Sequence, residues 1–250
     1  MKKIVLMYHD VYNSSVSESG FQFQTSFPYK VSAQEFEKHV QYAHNYCKLH
    51  NLSLDSINFS FDDGGESFLI VIAPILEKYG FKGIFCISTQ LIGTDKFLTR
   101  DQIKELHNRG HVISSHSHTH PKNMSVLSMQ ELLTEWQLSK NILEEIVQKP
   151  ITIASVPSGY SSANVIKSAL SSGITTLYTS KPTSQITHYN DMDVVGRFVV
   201  HHNTMLDDVR KIISMPAYRT KQLLKWYVIC LAKKIFGRYY NRIKARCFKH

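Results

Sequence analysis

The chain has 250 residues, 43% hydrophobic and 20% charged, with 11 Gly and 7 Pro, a globular composition that excludes a disordered chain. Its net charge of +9 sits at one end: residues 217–250 hold ten Lys or Arg and no Asp or Glu, which leaves 19 basic residues against 20 acidic ones before them. Such a tail points to an anionic partner surface, membrane or nucleic acid, and no uninterrupted apolar run reaches the roughly 18 residues of a membrane span.

Ile4–Tyr8 reads as the first core strand; the run is too short for a signal peptide and is followed by His9 and Asp10. Residues 12–31 read as a long loop. Ser32 is a helix N-cap, with Glu35 in the capping-box position. Ile57–Phe61 is a strand running into Asp62-Asp63-Gly64-Gly65, and a helix follows through Leu76, stopped by Gly80. Lys82–Ser88 is a strand, Thr99–Arg109 a helix, and Val112–Ser115 a strand that enters a histidine cluster. Ser128 and Glu131 cap a long helix to Val147. Ile151–Val156, Thr175–Thr179 and Val194–Val200 read as strands, and Asn164–Ser171 as a helix. Strands of four to seven residues alternating with helices predict a parallel α/β fold, open or closed into a barrel. The notable polar residues all follow strands, on the face where such folds bind ligands.

Three constellations carry chemistry. In Ser60-Phe61-Asp62-Asp63-Gly64, adjacent carboxylates at a strand end point different ways, so one can hold a metal while the other faces a substrate; taken alone, the segment also reads as an Asp-rich turn. In His116-Ser117-His118-Thr119-His120, the 116/120 pair shares one side if the chain makes a helical turn there, with His118 on the other. Imidazoles so spaced ligate zinc and similar ions, although the run by itself leaves open which pair binds, or whether it is a solvated loop. Ser155-Val156-Pro157-Ser158-Gly159-Tyr160 makes a tight loop whose N–H groups can face a developing oxyanion. Together, Asp63, His116 and His120 form a two-His, one-carboxylate set with open coordination positions for water and substrate, and Asp62 stands beside it as a base.

SFDDG, HSHTH and VPSG, with LMYHDV at 6–11, APILEKYGFKGIFCIS at 73–88, GHVISSHSHTHP at 110–121 and LTEWQLSKNILEEI at 133–146, resemble the polysaccharide deacetylases with a NodB-like domain, carbohydrate esterase family 4. The chain also resembles members from glycan biosynthesis clusters, which end in a basic helical segment like residues 233–246. The resemblance implies a distorted (β/α) barrel, Asp62 as base, and Asp63, His116 and His120 around one divalent metal ion, expected to be zinc. It implies an acetylated glycan as substrate: removal of N-acetyl groups from amino sugars of a polysaccharide or lipid-linked precursor. The alternatives are an O-acetyl esterase on the same scaffold and a catalytically silent carbohydrate-binding member.

Two motifs depart from the family pattern. Many members carry an Arg and an aromatic in the third motif; here Ser155 and Ser158 stand there, so the Arg that would orient the catalytic Asp is missing from it. The Leu-x-His motif that supplies a general-acid histidine has no clean match, and His201 is the nearest candidate, next to His202. The expected roles are then Asp62, His201 and the Ser158 N–H in catalysis, and His9, Pro157 and Tyr160 at the substrate.

Residues 1–216 are expected to form the catalytic domain and 217–250 a basic amphipathic helical tail. Leu223, Leu224, Tyr227, Leu231 and Phe236 fall largely on one side of it, either packed on the barrel or lying on an anionic membrane. No nucleic-acid recognition motif supports the other anionic partner. Cys47, Cys86, Cys230 and Cys247 show no pairing pattern and read as reduced thiols. The expected location is therefore cytoplasmic, peripheral at the inner face of the membrane.

Overall fold

The computed structural model describes residues 3–236. Nine strands form one curled sheet: β1 (Ile4–Tyr8), β4 (Ile57–Phe61), β5 (Gly83–Ile87), β6 (Val112–Ser115), β7 (Ile153–Ser155), β8 (Thr176–Tyr178), β9 (Ile186–Tyr189), β10 (Met192–Val195) and β11 (Phe198–Val199). Their order is β11-β1-β4-β5-β6-β7-β8-β10-β9, and all neighbours are parallel except the β9–β10 pair. A small parallel pair, β2 (Val11–Tyr12) with β3 (Val31–Ser32), closes the ends of the loop between them.

The curl follows from the inside of the sheet. Val5, Ile84, Cys86, Tyr178 and Val195, from strands β1, β5, β8 and β10, meet in one buried cluster. Strands so far apart in the sheet order touch only if the sheet bends round on itself. The result is an open, distorted (β/α) barrel, as expected. Outside it, α1 (Ala33–Leu49), α2 (Ala73–Lys78), α3 (Arg100–Asn108) and α6 (Leu206–Ser214) cover β1, β4 and β5 through the largest apolar cluster. A second cluster sits under α4 (Met129–Val147) and α5 (Ala163–Ser171), against β7 and β8.

Local chemistry explains where the elements begin and where they differ from expectation. Thr99 with Gln102 and Ser128 with Glu131 form reciprocal capping boxes. Ser32 caps α1, but Glu35 does not return the bond; its carboxylate accepts the Leu206 N–H at 3.0 Å and so ties α1 to α6. The helix before Gly80 starts as a π-helical turn, Phe68–Ile72, because Pro74 lacks the N–H that would continue an α ladder. The single strand expected over Val194–Val200 is two, β10 and β11, broken at Gly196-Arg197. A Cβ at Gly196 would collide with the carbonyl oxygens of Lys181 and Thr183, so only glycine lets the chain pass here. Strand β9 and helix α6 are additions to the expected elements.

The tail begins as one helix, α7 (Pro216–Phe236). Arg219 anchors its first turns on α6, donating to the carbonyls of Ile212 and Ile213 at 2.6 and 3.0 Å. The expected continuation beyond it, the Phe236 side chain and Cys247 lie outside what is described. Among the described residues no helix is long and apolar enough to cross a membrane, and Cys47 and Cys86 are free, buried thiols.

Gly196→Ala should therefore cost about 1–3 kcal/mol, the usual penalty of an overpacked site. Urea unfolding checks this, and an unchanged midpoint would show that the loop at 181–183 gives way freely.

Candidate active site

The strand ends of β1, β4, β6 and β7 converge on a cleft of about 870 Å³. β4 delivers Asp62 and Asp63 side by side, 3% and 6% exposed. Asp63 has φ +88, and the same strained half of backbone space holds Ser117, His120 and Ser158. Three of these four non-glycine residues, Asp63, His120 and Ser158, line the cleft, which marks a site whose surroundings impose the geometry.

Asp63 Oδ1 faces two imidazoles. His116 Nε2 lies 3.5 Å from it and His120 Nε2 3.2 Å, and all three ligand atoms fall within 4.8 Å of one another. Asp63 Oδ1 is buried without a hydrogen-bond partner. His116 Nδ1 lies 3.1 Å from the Ser155 carbonyl and 2.5 Å from its Oγ. Donation from Nδ1 fixes the tautomer in which Nε2 keeps its lone pair. Burial raises the Asp63 carboxyl, and the two imidazoles more than reverse this, holding it well below the usual carboxylate range. Burial lowers His120, and Asp63 brings it back above its ordinary value. Both directions say that the pocket favours a positive charge among these three side chains. The donor set and the buried, unpartnered oxygen fit a divalent cation.

The histidine loop is held by a residue outside the motif. Glu135 of α4, 9% exposed, accepts the N–H groups of His118 and Thr119 at 2.9 and 2.8 Å and the Thr119 hydroxyl at 2.6 Å. His118 turns away from Asp63, with its Nδ1 2.9 Å from Thr89 Oγ1.

Asp62 has a different partner. Arg197, 1% exposed, donates to both carboxylate oxygens, at 2.6 Å from Nη1 and 2.7 Å from Nη2. Its Nε donates to the Thr179 carbonyl at 3.2 Å and its ring-facing side lies over Tyr178. The arginine missing from the third motif is thus supplied by another part of the chain, just past β10. Ser155, standing in that motif, donates to Asp62 Oδ1 at 3.2 Å and so links Asp62 to His116. Burial would raise Asp62, but the Arg197 guanidinium brings it down to about 2. Removing one partner of such a buried pair would leave the other charge uncompensated.

The remaining expected residues divide. His9, Ser158, Tyr160 and His201 all line the cleft. The His9 and Tyr29 ring centroids lie 4.6 Å apart, tilted at 50°, and those of Tyr29 and His201 4.9 Å apart, tilted at 45°, a row of rings along one wall. Pro157 is buried below the turn and sets its shape, while Val156, Ser158, Gly159 and Tyr160 provide the surface. Phe21 and Phe23 of the long loop, and Trp226 and Ile229 of α7, complete the walls. The sequence reading assigned none of these four to the site. The loop is tied down by buried Asp10, which accepts from Ser19 and Ser67 at 2.7 and 2.9 Å.

The comparisons point the same way. A sequence model described as polysaccharide deacetylase matches residues 51–177. The Bacillus subtilis protein YxkH, provisionally named a polysaccharide deacetylase, is 27% identical over 192 residues, spanning 71% of this chain and 64% of that protein, just under two thirds of its length. Among solved structures, the Streptococcus pyogenes deacetylase PplD in complex with acetate superposes with a TM-score of 0.70 at 22% identity, covering 86% of this chain and 99% of that one. A polysaccharide deacetylase from Bacillus cereus gives 0.70 at 21%, over 86% and 69%. A de-N-acetylase from Aggregatibacter actinomycetemcomitans gives 0.66 at 20%, over 85% and 100%. At these identities the structural likeness establishes the fold.

Glu135→Ala removes the carboxylate that accepts the N–H groups of His118 and Thr119 and the Thr119 hydroxyl. It should weaken binding of a divalent cation, with zinc as the probe, by about 10–100-fold, the usual effect of disturbing groups that orient metal ligands. Calorimetric titration checks it, and unchanged affinity would remove Glu135 from the support of the site.

Proposed function

Because the chain belongs to the polysaccharide deacetylase family, we propose that it hydrolyses N-acetyl groups on the amino sugars of a polysaccharide or lipid-linked glycan precursor. The observation that carries this reading is the pairing of two adjacent carboxylates with opposite partners, Asp63 with two imidazoles and Asp62 with Arg197. Asp63, His116 and His120 are the residues that would hold a divalent ion, zinc being the best match to two imidazoles and one carboxylate. Such an ion supplies a water of lowered pKa and polarises a carbonyl oxygen.

The chain's own groups do the rest. Asp62, held ionised by Arg197, accepts a proton from the attacking water. Arg197 fixes its orientation, so the free lone pairs of the carboxylate point into the cleft. The backbone N–H of Ser158 faces the developing oxyanion. His201 donates the proton to the departing amine, with the Tyr29 ring against it and His9 next in the row. Tyr160 and His9 contact the sugar, and Pro157 keeps the Ser158 turn rigid. Acetate and a free amino sugar leave. Arg197 makes good one of the two departures from the family pattern, which supports an active enzyme over a catalytically silent member.

In this reading residues 1–216 are the catalytic domain and 217–250 an extension that places it at an anionic membrane, on the cytoplasmic side. The charge distribution of the sequence supports that placement.

Acetate release from a panel of N- and O-acetylated sugars, after stripping and restoring zinc, tests the activity. Zinc-dependent release from an N-acetylated member is expected. Asp62→Asn should lower the rate by about 10²–10⁴-fold, the usual loss of a general base, while near-normal turnover would take Asp62 out of the mechanism.

A further inference from the structure

Helix α7 has two faces with different surroundings. Trp226 and Ile229 are half-buried and form part of the cleft wall. On the far side, Leu224, Val228, Leu231 and Ile235 are 60%, 66%, 58% and 66% exposed. At about 100° per residue these four positions lie roughly opposite Trp226. Their spacing of four, three and four residues makes one continuous outward stripe. A helix packed only as a cover for the barrel would put such residues inward, whereas here the inward side is already occupied by Arg219, Trp226 and Ile229. The stripe therefore has no protein partner among the described residues.

The charges around the stripe select its occupant. Lys221 and Lys225 are exposed along one border, and the whole segment 217–250 has ten basic residues and no acidic one. An apolar stripe bordered by cations fits the headgroup boundary of an anionic bilayer. A second copy of the same chain would set like charges against each other.

We infer that α7 lies on an anionic membrane with Leu224, Val228, Leu231 and Ile235 in the lipid, holding the cleft that its other face walls open at the bilayer surface. This rests on the deacetylase reading and narrows it: of the two substrate classes, the site takes the acetylated sugar carried on a lipid. One helix spans the distance between bilayer and cleft, so a headgroup within a helix diameter of the membrane, about 10–12 Å, reaches the wall made by Trp226 and Ile229.

The test uses the full chain with vesicles of phosphatidylglycerol and phosphatidylcholine, and with phosphatidylcholine alone. The protein should sediment with the anionic vesicles, less so as salt rises, and remain in the supernatant with the neutral ones. The triple variant Leu224→Asp, Val228→Asp, Leu231→Asp should bind at least about tenfold more weakly, with an unchanged circular dichroism spectrum. Lys221→Gln with Lys225→Gln, which leaves the apolar stripe intact, should also reduce binding. The best soluble substrate of the sugar panel is then attached to a dialkyl lipid in the same vesicles. Its kcat/KM should rise at least about tenfold over the free sugar for the wild type and not for the triple variant, while both enzymes turn over the free sugar equally. Failure of the wild type to bind anionic vesicles at low salt, binding unaffected by the triple variant, or a stripe-dependent dimer in sedimentation velocity would each overturn the inference. Absence of turnover with every soluble sugar would instead count against the deacetylase reading, with the vesicle result still deciding the docking.

Discussion

Two carboxylates buried next to each other repel, and one of them normally takes up a proton. Here each has its own partner, and both carboxyls are held below the usual carboxylate range. Arg197 reaches Asp62 with two parallel bonds, and the imidazoles of His116 and His120 close on Asp63. The rest of the molecule can be read as support for that separation. Gly196 lets the chain turn so that Arg197 enters the barrel, Tyr178 lies against the guanidinium, Ser155 joins the two halves, and Glu135 holds the histidine loop in place.

Much of the centre was legible before any coordinates. SFDDG and HSHTH are local motifs, each placed at a strand end by apolar runs that are easy to read, and the alternation of strands and helices identifies the barrel. The spacing made His116 with His120 one candidate pair, while the loop that brings them together is no helical turn, since Ser117 and His120 have positive φ. Arg197 was not legible in this way. It lies 135 residues from Asp62, and the sheet order that brings β10 round to β4 is a tertiary property. The available signal was a Gly-Arg pair interrupting an otherwise apolar strand, where an arginine has no reason to be unless it meets a buried anion. Helix α6 escaped for a different reason: its N-cap is Met205, so the usual Ser, Thr, Asp or Asn marker is absent, and only Asp208, accepting the Met205 N–H, closes the first turn.

The cleft walls lay furthest from the sequence. Phe21 and Phe23 sit in a loop without periodicity, and their place depends on Asp10, Ser19 and Ser67 folding that loop back over the strand ends. In the tail, the apolar residues gave a helix but not its orientation. Leu224 and Leu231 suit either the barrel surface or a membrane by sequence, and they face outward because Trp226 and Ile229 take the inner side. The tail is thereby part of the site as well as of its surroundings.

The central claim is that the two carboxylates differ in role because their partners differ. A crystal of the zinc-loaded protein, measured at the zinc absorption edge, tests it most directly. The account predicts one anomalous peak, bonded to Asp63 Oδ1, His116 Nε2 and His120 Nε2, with Asp62 still paired to Arg197 and making no bond to the ion. A peak bonded to Asp62, or zinc held elsewhere with those three side chains unligated, would contradict it.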